Sequence, residues 1–94
     1  MIQHIVMWKF REGTQTQAEE FLTRLAGLAG QIECIRSMSV RRSAVSGSAY
    51  DAVLVSEFAS LEDLAAYKND PRHKAVSALC KSIREDRVAV DYEF

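Results

Sequence analysis

The chain begins with a segment that is apolar on both of its sides. Residues 2–10 are rich in β-branched and aromatic side chains and contain no glycine or proline, which favours a β-strand. Alternate side chains of a strand point to opposite sides, so Val6 and Trp8 project one way while Ile5 and Met7 project the other. A sheet built on this strand therefore needs an apolar cover on both faces.

A helix is predicted to follow this strand. Thr16 and Glu19 form a capping-box pattern at its start, and Gly30 suits its end. Apolar side chains recur between them at helical spacing, at Ala18, Phe21, Leu22, Leu25, Leu28 and Ala29. We expect this stripe to pack against the sheet.

A second helical region is predicted to be interrupted at Pro71. Ser60, with Asp63 three residues later, predicts the start of a short helix. Asn69 and Asp70 are both favourable N-cap residues, and proline is favoured at the first helical position. A new helix is therefore expected to begin directly at Pro71.

Further strands are predicted at residues 35–42, 50–58 and 87–94, with a hairpin loop at 43–49. The order β-α-β-β-α-β is that of a ferredoxin-like α+β domain, in which helices cover one face of a four-stranded antiparallel sheet. The length fits one domain over residues 1–94.

The second face of this sheet is predicted to be an interface, because exposed apolar patches of this kind usually mark one. A second copy related by two-fold symmetry is the simplest cover, which predicts a homodimer. A monomer with a partly apolar sheet is the alternative.

Composition narrows the classes of partner. The formal charge is -1, with 12 basic and 13 acidic side chains, so nucleic acid is not expected as a partner. No apolar run is long enough for a membrane span, and the N-terminus does not resemble a signal peptide, so a cytoplasmic protein is expected. Cys34 and Cys80 lie among apolar residues and are predicted to be free thiols, and no metal site is predicted.

Four segments carry a resemblance that spans nearly the whole chain: residues 4–10, 50–58, 64–73 and 88–92. In this order and spacing they resemble the stress-responsive dimeric α/β-barrel (Dabb) family, within the wider dimeric α+β barrel superfamily. The resemblance implies a homodimer whose two sheets pack face to face into a barrel. It implies no cofactor.

One plant branch of this family consists of polyketide cyclases, in which a His and a Tyr drive an intramolecular aldol closure without cofactor or metal. The resemblance places the catalytic His at His73 and the Tyr at Tyr67, six residues earlier. The His near the start of the first strand corresponds to His4. A further pocket Tyr on the first helix corresponds to Leu25, which removes one polar group.

Such chemistry needs a base with a pKa near 7 and a donor that stabilises an enolate oxygen. His73 and Tyr67 are the candidates, with His4 as a further candidate catalytic residue. Each of the three has a structural alternative. His73 would fix the start of its helix, Tyr67 would be a packing aromatic, and His4 would be a hydrogen-bonded core residue. The residues expected to line the ligand pocket are Val6, Trp8, Leu22, Leu25 and Leu54.

The sequence therefore predicts a protein that binds a small apolar organic ligand between sheet and helices, with cofactor-free cyclisation or proton transfer as its chemistry. Two alternatives stay open. One is a non-enzymatic stress-response or ligand-binding protein. The other is a cofactor-free monooxygenase or isomerase of the wider barrel group.

Overall fold

A computed structural model describes residues 1–94 as a four-stranded antiparallel sheet with helices packed on one face. The elements, in chain order, are β1 (Ile2–Phe10), α1 (Gln15–Gly27), a 3-10 turn (Leu28–Gly30), β2 (Ser37–Arg42), β3 (Ala52–Phe58), α2 (Leu61–Asn69), α3 (Pro71–Ile83) and β4 (Arg84–Glu93). The strand order is β2-β3-β1-β4. This arrangement confirms the ferredoxin-like prediction.

The two faces of β1 have different environments. Val6 and Trp8 are buried beneath the helices, whereas Ile5 is half-buried and Met7 is exposed on the opposite face. The sequence left open which pair would face the helices. The structure shows that the even-numbered side chains of β1 do.

The core lies between the sheet and the helices. Phe21 and Leu25 of α1 pack there with Leu54 and Phe58 of β3 and Val76 of α3, all of them buried. Burying a side chain of this size contributes about 1.5–3 kcal/mol through its removal from water. The main apolar core of the chain therefore lies on the helix-facing side of the sheet.

The start of α1 differs from the prediction. The helix begins at Gln15 with Thr14 at the N-cap position, so Thr16 and Glu19 do not form a capping box. The chain turns through Gly13, whose φ of 79° lies in the region that favours glycine. The turn ends after Gly13, so α1 begins at Gln15. A cap at Thr16 would have placed the first helical residue two positions later, at Gln17.

Other differences concern single residues and element ends. Ala29 is exposed, because the regular helix ends at Gly27 and the following 3-10 turn rotates it out of the apolar stripe. The second and third strands begin two residues later than predicted, at Ser37 and Ala52. The fourth begins three residues earlier, at Arg84, which brings an additional cation onto the sheet.

Both predicted N-caps of the second helical region are confirmed. The Ser60 side chain accepts a hydrogen bond from the Asp63 backbone N–H at the start of α2. The Asp70 carboxylate accepts one from the Arg72 backbone N–H at the start of α3, directly before Pro71. None of the helices has both the length and the hydropathy required to cross a lipid bilayer.

Candidate functional site

A cavity of about 210 Å³ lies between the helices and the helix-facing side of the sheet. Seven of the eight residues that the sequence predicted for the site line it: His4, Val6, Trp8, Leu25, Leu54, Tyr67 and His73. The eighth, Leu22, is buried in the core but does not line the cavity, so its assignment to the pocket is wrong. On α1 it lies between Phe21 and Leu25, which both line the cavity.

Tyr67 and His73 are brought together by the break between α2 and α3. Tyr67 lies in the last turns of α2, and His73 lies in the first turn of α3. Their ring centroids are 4.4 Å apart, with the ring planes inclined at 50°. The two side chains therefore form one continuous part of the cavity wall.

The Tyr67 hydroxyl is buried and has no hydrogen-bond partner. The whole residue is 0% exposed, and its ring packs against Phe58 at a centroid distance of 5.1 Å. Burial raises the pKa of Tyr67 well above its usual range, so the hydroxyl keeps its proton. An unpaired buried hydroxyl is costly, and in a cavity wall it offers a hydrogen-bond donor to a ligand.

His73 has a defined tautomer. Its Nδ1 lies 3.1 Å from the backbone carbonyl oxygen of Lys68, which can only accept a hydrogen bond. Nδ1 therefore carries the proton in the neutral ring, and Nε2 retains its lone pair. Burial lowers the pKa of His73, which favours the neutral form at pH 7.

His4 is held by a carboxylate on the neighbouring strand. Its Nδ1 lies 2.5 Å from Oδ1 of Asp91, and the other carboxylate oxygen lies 3.7 Å from Nζ of Lys68. Burial lowers the pKa of His4, and the hydrogen bond to Asp91 partly opposes that effect. As in His73, the proton is on Nδ1, and Nε2 has no hydrogen-bond partner.

The two cysteines are free, as predicted. Cys80 is buried and lines the cavity, and burial raises the pKa of its thiol. Cys34 is half-buried elsewhere, and its Sγ lies 3.4 Å from the Asp63 carbonyl oxygen. No group of three or more His, Cys, Asp or Glu side chains is arranged to hold a metal ion.

The sequence profile of the stress responsive A/B barrel domain (Dabb) family matches residues 2–94. The chain belongs to the Dabb family. Comparison with curated protein sequences found no significant match.

Solved structures resemble this Dabb chain closely in fold. A dimeric protein of unknown function with a ferredoxin-like fold, from Bacteroides fragilis, is 28% identical, with a TM-score of 0.85 over 99% of this chain and 95% of that one. A dimeric ferredoxin-like protein of unknown function from Thermobifida fusca is 26% identical, with a TM-score of 0.86 over 99% and 90%. A hydroxynitrile lyase from Passiflora edulis is 14% identical, with a TM-score of 0.85 over 97% and 90%, which shows the shared fold alone.

Several lining residues of the Dabb cavity were missed from the sequence. Besides Phe21 of α1, they lie on α3 or at the start of β4: Val76, Ser77, Cys80, Lys81, Arg84 and Arg87. Those on α3 follow His73 at intervals of three or four residues, which is the spacing of one helix face. That spacing could have identified them once His73 was placed in the pocket.

The face of the sheet opposite the cavity is apolar and open. Met7 of β1 is exposed there, next to Val88, Val90 and Tyr92 of β4, and Val90 is 55% exposed. Ile5 lies among them and pairs with Val90. Contiguous exposed apolar side chains of this kind mark an interaction surface.

Proposed function

We propose that this protein is a homodimer in which each protomer binds a small, mostly apolar organic molecule and catalyses cofactor-free proton transfer at a carbon next to a carbonyl group. His73 is the base and Tyr67 the hydrogen-bond donor. The observation that carries the proposal is the buried, unpartnered hydroxyl of Tyr67, a residue that lines the cavity and whose ring lies beside that of His73.

The proposed step starts at Nε2 of His73. This nitrogen takes the proton from the carbon next to the carbonyl group, the C–H electron pair forms a C–C double bond, and the carbonyl π electrons move onto oxygen. The Tyr67 hydroxyl donates a hydrogen bond to that enolate oxygen. In a cyclisation, the enolate carbon then attacks a second carbonyl of the same molecule, and His73 returns the proton to the new alkoxide.

The protonation states of both residues support these roles. The pKa of His73 is lowered, so its ring is neutral at pH 7 and can accept a proton. The pKa of Tyr67 is raised, so its hydroxyl remains a donor. At pH 7 the shifts therefore leave His73 unprotonated and Tyr67 protonated, as a base and a donor must be.

His4 is proposed to be the second imidazole that contacts the ligand. It lines the same cavity, its Nε2 is unpaired, and Asp91 fixes the orientation of its ring. A carboxylate hydrogen-bonded to Nδ1 also stabilises the protonated ring, which makes His4 the alternative base. Variants of the two histidines separate these roles.

The open apolar face of the sheet supports the homodimer. Leaving Val90, Tyr92 and their neighbours in water is unfavourable, and a two-fold copy would bury them against the same surface. The neighbours from Bacteroides fragilis and Thermobifida fusca are both described as dimeric. The Passiflora edulis neighbour is described as a hydroxynitrile lyase, so the fold hosts an enzyme in at least one case.

The test is hydrogen–deuterium exchange at the carbons next to the carbonyl group of 4-phenyl-2-butanone, followed by NMR in D2O. This ketone has an apolar body and an exchangeable C–H group. We expect wild-type protein to accelerate exchange above the buffer rate. His73→Gln should reduce the acceleration by about 100-fold or more, the lower range for loss of a general base, and Tyr67→Phe should reduce it less.

The matched control for Tyr67→Phe is Tyr50→Phe. The Tyr50 hydroxyl donates to Asp86 outside the cavity, so this variant should exchange the ketone at the wild-type rate. Binding of the ketone without accelerated exchange would contradict catalysis and favour a non-enzymatic ligand-binding protein. Full exchange in His73→Gln with loss in His4→Gln would reassign the base to His4.

A further inference from the structure

Three cations line the cavity, and none of them has an acidic partner. Lys81 lies in the last turn of α3, Arg84 begins β4, and Arg87 lies opposite Trp8 in the β1–β4 pair. All three line the cavity, and no carboxylate side chain does. The cavity between the helices and the sheet therefore has three positive charges in its wall and no negative side chain to balance them.

Three cations elsewhere on the surface have acidic partners. Arg42 forms an ion pair with Glu19, and Lys68 lies near Asp91. Arg72 binds both carboxylate oxygens of Asp70 in a bidentate contact. The chain as a whole carries a formal charge of -1, so carboxylates are not scarce. Other surface cations, such as Lys9 and Lys74, also lack an ion pair. What distinguishes Lys81, Arg84 and Arg87 is that they line one cavity, which has no carboxylate in its wall.

The charge of Arg87 acts on the other polar groups of the cavity. Burial is the main reason why the pKa values of His4 and His73 are low, and the positive charge of Arg87 lowers both further. Burial raises the pKa of Tyr67, and Arg87 partly opposes that effect. An anion bound at Arg87 would therefore lie close enough to interact with all three rings.

We infer that the ligand of this cavity is an organic anion with an apolar body, whose carboxylate is bound by Lys81, Arg84 and Arg87. The body of the ligand packs against Val6, Trp8 and Leu54, which also line the cavity. The Tyr67 hydroxyl, which is buried and unpartnered, donates to a second oxygen of the ligand. Guanidinium groups suit this role because their planar N–H groups match a carboxylate in geometry and charge.

This inference rests on the proposed function, because it names the class of molecule that occupies the same cavity. The cavity volume of about 210 Å³ is below the roughly 300–1,000 Å³ of pockets for drug-sized ligands, which favours a single-ring acid over a larger one. Phenylacetate and phenylacetamide are suitable probes. They have the same number of non-hydrogen atoms and nearly the same shape, and only phenylacetate is charged at pH 7.

The experiment compares the two probes by NMR titration of the isotope-labelled protein. We expect phenylacetate to bind at least tenfold more tightly than phenylacetamide at low salt, with the largest shifts at cavity residues. Arg87→Gln and Arg84→Gln should each reduce the ratio of the two affinities severalfold, mainly by weakening phenylacetate. Arg24→Gln, on the exposed side of α1 and outside the cavity, is the matched control and should leave the ratio unchanged.

The outcomes separate this inference from the proposed function. Equal affinities for the two probes, or a ratio unchanged in Arg87→Gln and Arg84→Gln, would overturn the anion site while leaving a cavity that binds neutral molecules. Binding of neither probe nor 4-phenyl-2-butanone would overturn both proposals. Since Arg87 is exposed and Arg84 is half-buried, neither substitution removes core packing, and the spectrum of each variant verifies its fold.

Discussion

His4 on β1 and Asp91 on β4 lie directly opposite each other, with Nδ1 of the imidazole 2.5 Å from Oδ1 of the carboxylate. The contact joins residues that are 87 positions apart in the chain. It places a carboxylate behind a buried imidazole and leaves the other ring nitrogen unpaired. The properties of His4 therefore depend on the register of the two strands as well as on burial.

Asp91→Asn is expected to lower the pKa of His4 below its value in the wild-type protein. Burial already lowers this pKa, and the hydrogen bond and charge of Asp91 are what oppose it. NMR titration of the His4 ring protons measures the change, and the His73 resonances provide an internal comparison. A His4 pKa that rises or stays the same in Asp91→Asn would show that the carboxylate does not stabilise the charged ring.

The free energy of unfolding is expected to fall between pH 7 and pH 5. The pKa values of His4 and His73 are lowered in the folded protein, so the unfolded chain takes up protons first, from its usual pKa near 6.5 downward. Each histidine contributes at most about 1.4 kcal/mol per pH unit in this window. Asp70 titrates lower, since its contacts with Arg72 reduce its pKa to about 2.

Urea unfolding at several pH values measures this dependence. Stability should be fully present above about pH 7, and the loss should level off once the pH is below the two folded-state pKa values. The variant with both His4→Gln and His73→Gln should have a flatter profile than wild type over the same window. An equally steep profile in that double variant would assign the acid sensitivity to other groups.

Tyr67→Phe is expected to separate stability from function. The Tyr67 hydroxyl is buried without a partner, so its removal should leave the free energy of unfolding unchanged or raise it by about 1 kcal/mol. The same variant should slow deuterium exchange of the ketone. Chemical denaturation and the exchange assay on one preparation test both effects, and a clear loss of stability would show that the hydroxyl has a partner in the folded protein.

The sequence predicted the elements of the fold better than the contacts of the site. Hydrophobic periodicity located the strands and helices, and helix-start chemistry located the break at Pro71. The sequence pattern could not predict the contact between His4 and Asp91, because that contact depends on how β1 and β4, at the two ends of the chain, align with each other. Arg84 was missed because the last strand was predicted to begin at residue 87. In the structure β4 continues three residues further toward its N-terminus, past a register shift, so that Arg84 pairs with Phe10 of β1.

Leu25 and Leu22 form a matched pair for testing the cavity. Both are buried on α1, but only Leu25 lines the cavity. Leu25→Ala and Leu22→Ala should each destabilise the protein by about 2–5 kcal/mol. Only Leu25→Ala should enlarge the cavity and improve the relative affinity for a bulkier probe such as 1-naphthylacetate. Parallel gains in both variants would mean that general loosening, and not the cavity, sets ligand size.

Val90→Lys is expected to convert the proposed dimer to a monomer. Val90 is exposed on the open face of the sheet, where a two-fold copy would bury it, and an unpaired charge there opposes association. Val45→Lys is the matched control, because Val45 is also exposed but lies in the loop between β2 and β3. Sedimentation velocity should show a monomer for the first variant and a dimer for the second. A wild-type monomer, or a dimeric Val90→Lys, would contradict this interface.

Asp70, the single extended residue between α2 and α3, determines whether Tyr67 and His73 can form one site. In one uninterrupted helix, side chains six residues apart would project about 120° from each other, so Tyr67 and His73 would not meet. The extended backbone of Asp70 redirects the chain and makes them neighbours. Inserting or deleting one residue at this junction would part the two rings while leaving every cavity side chain unchanged. Related sequences could thus gain or lose this chemistry through the length of one connection.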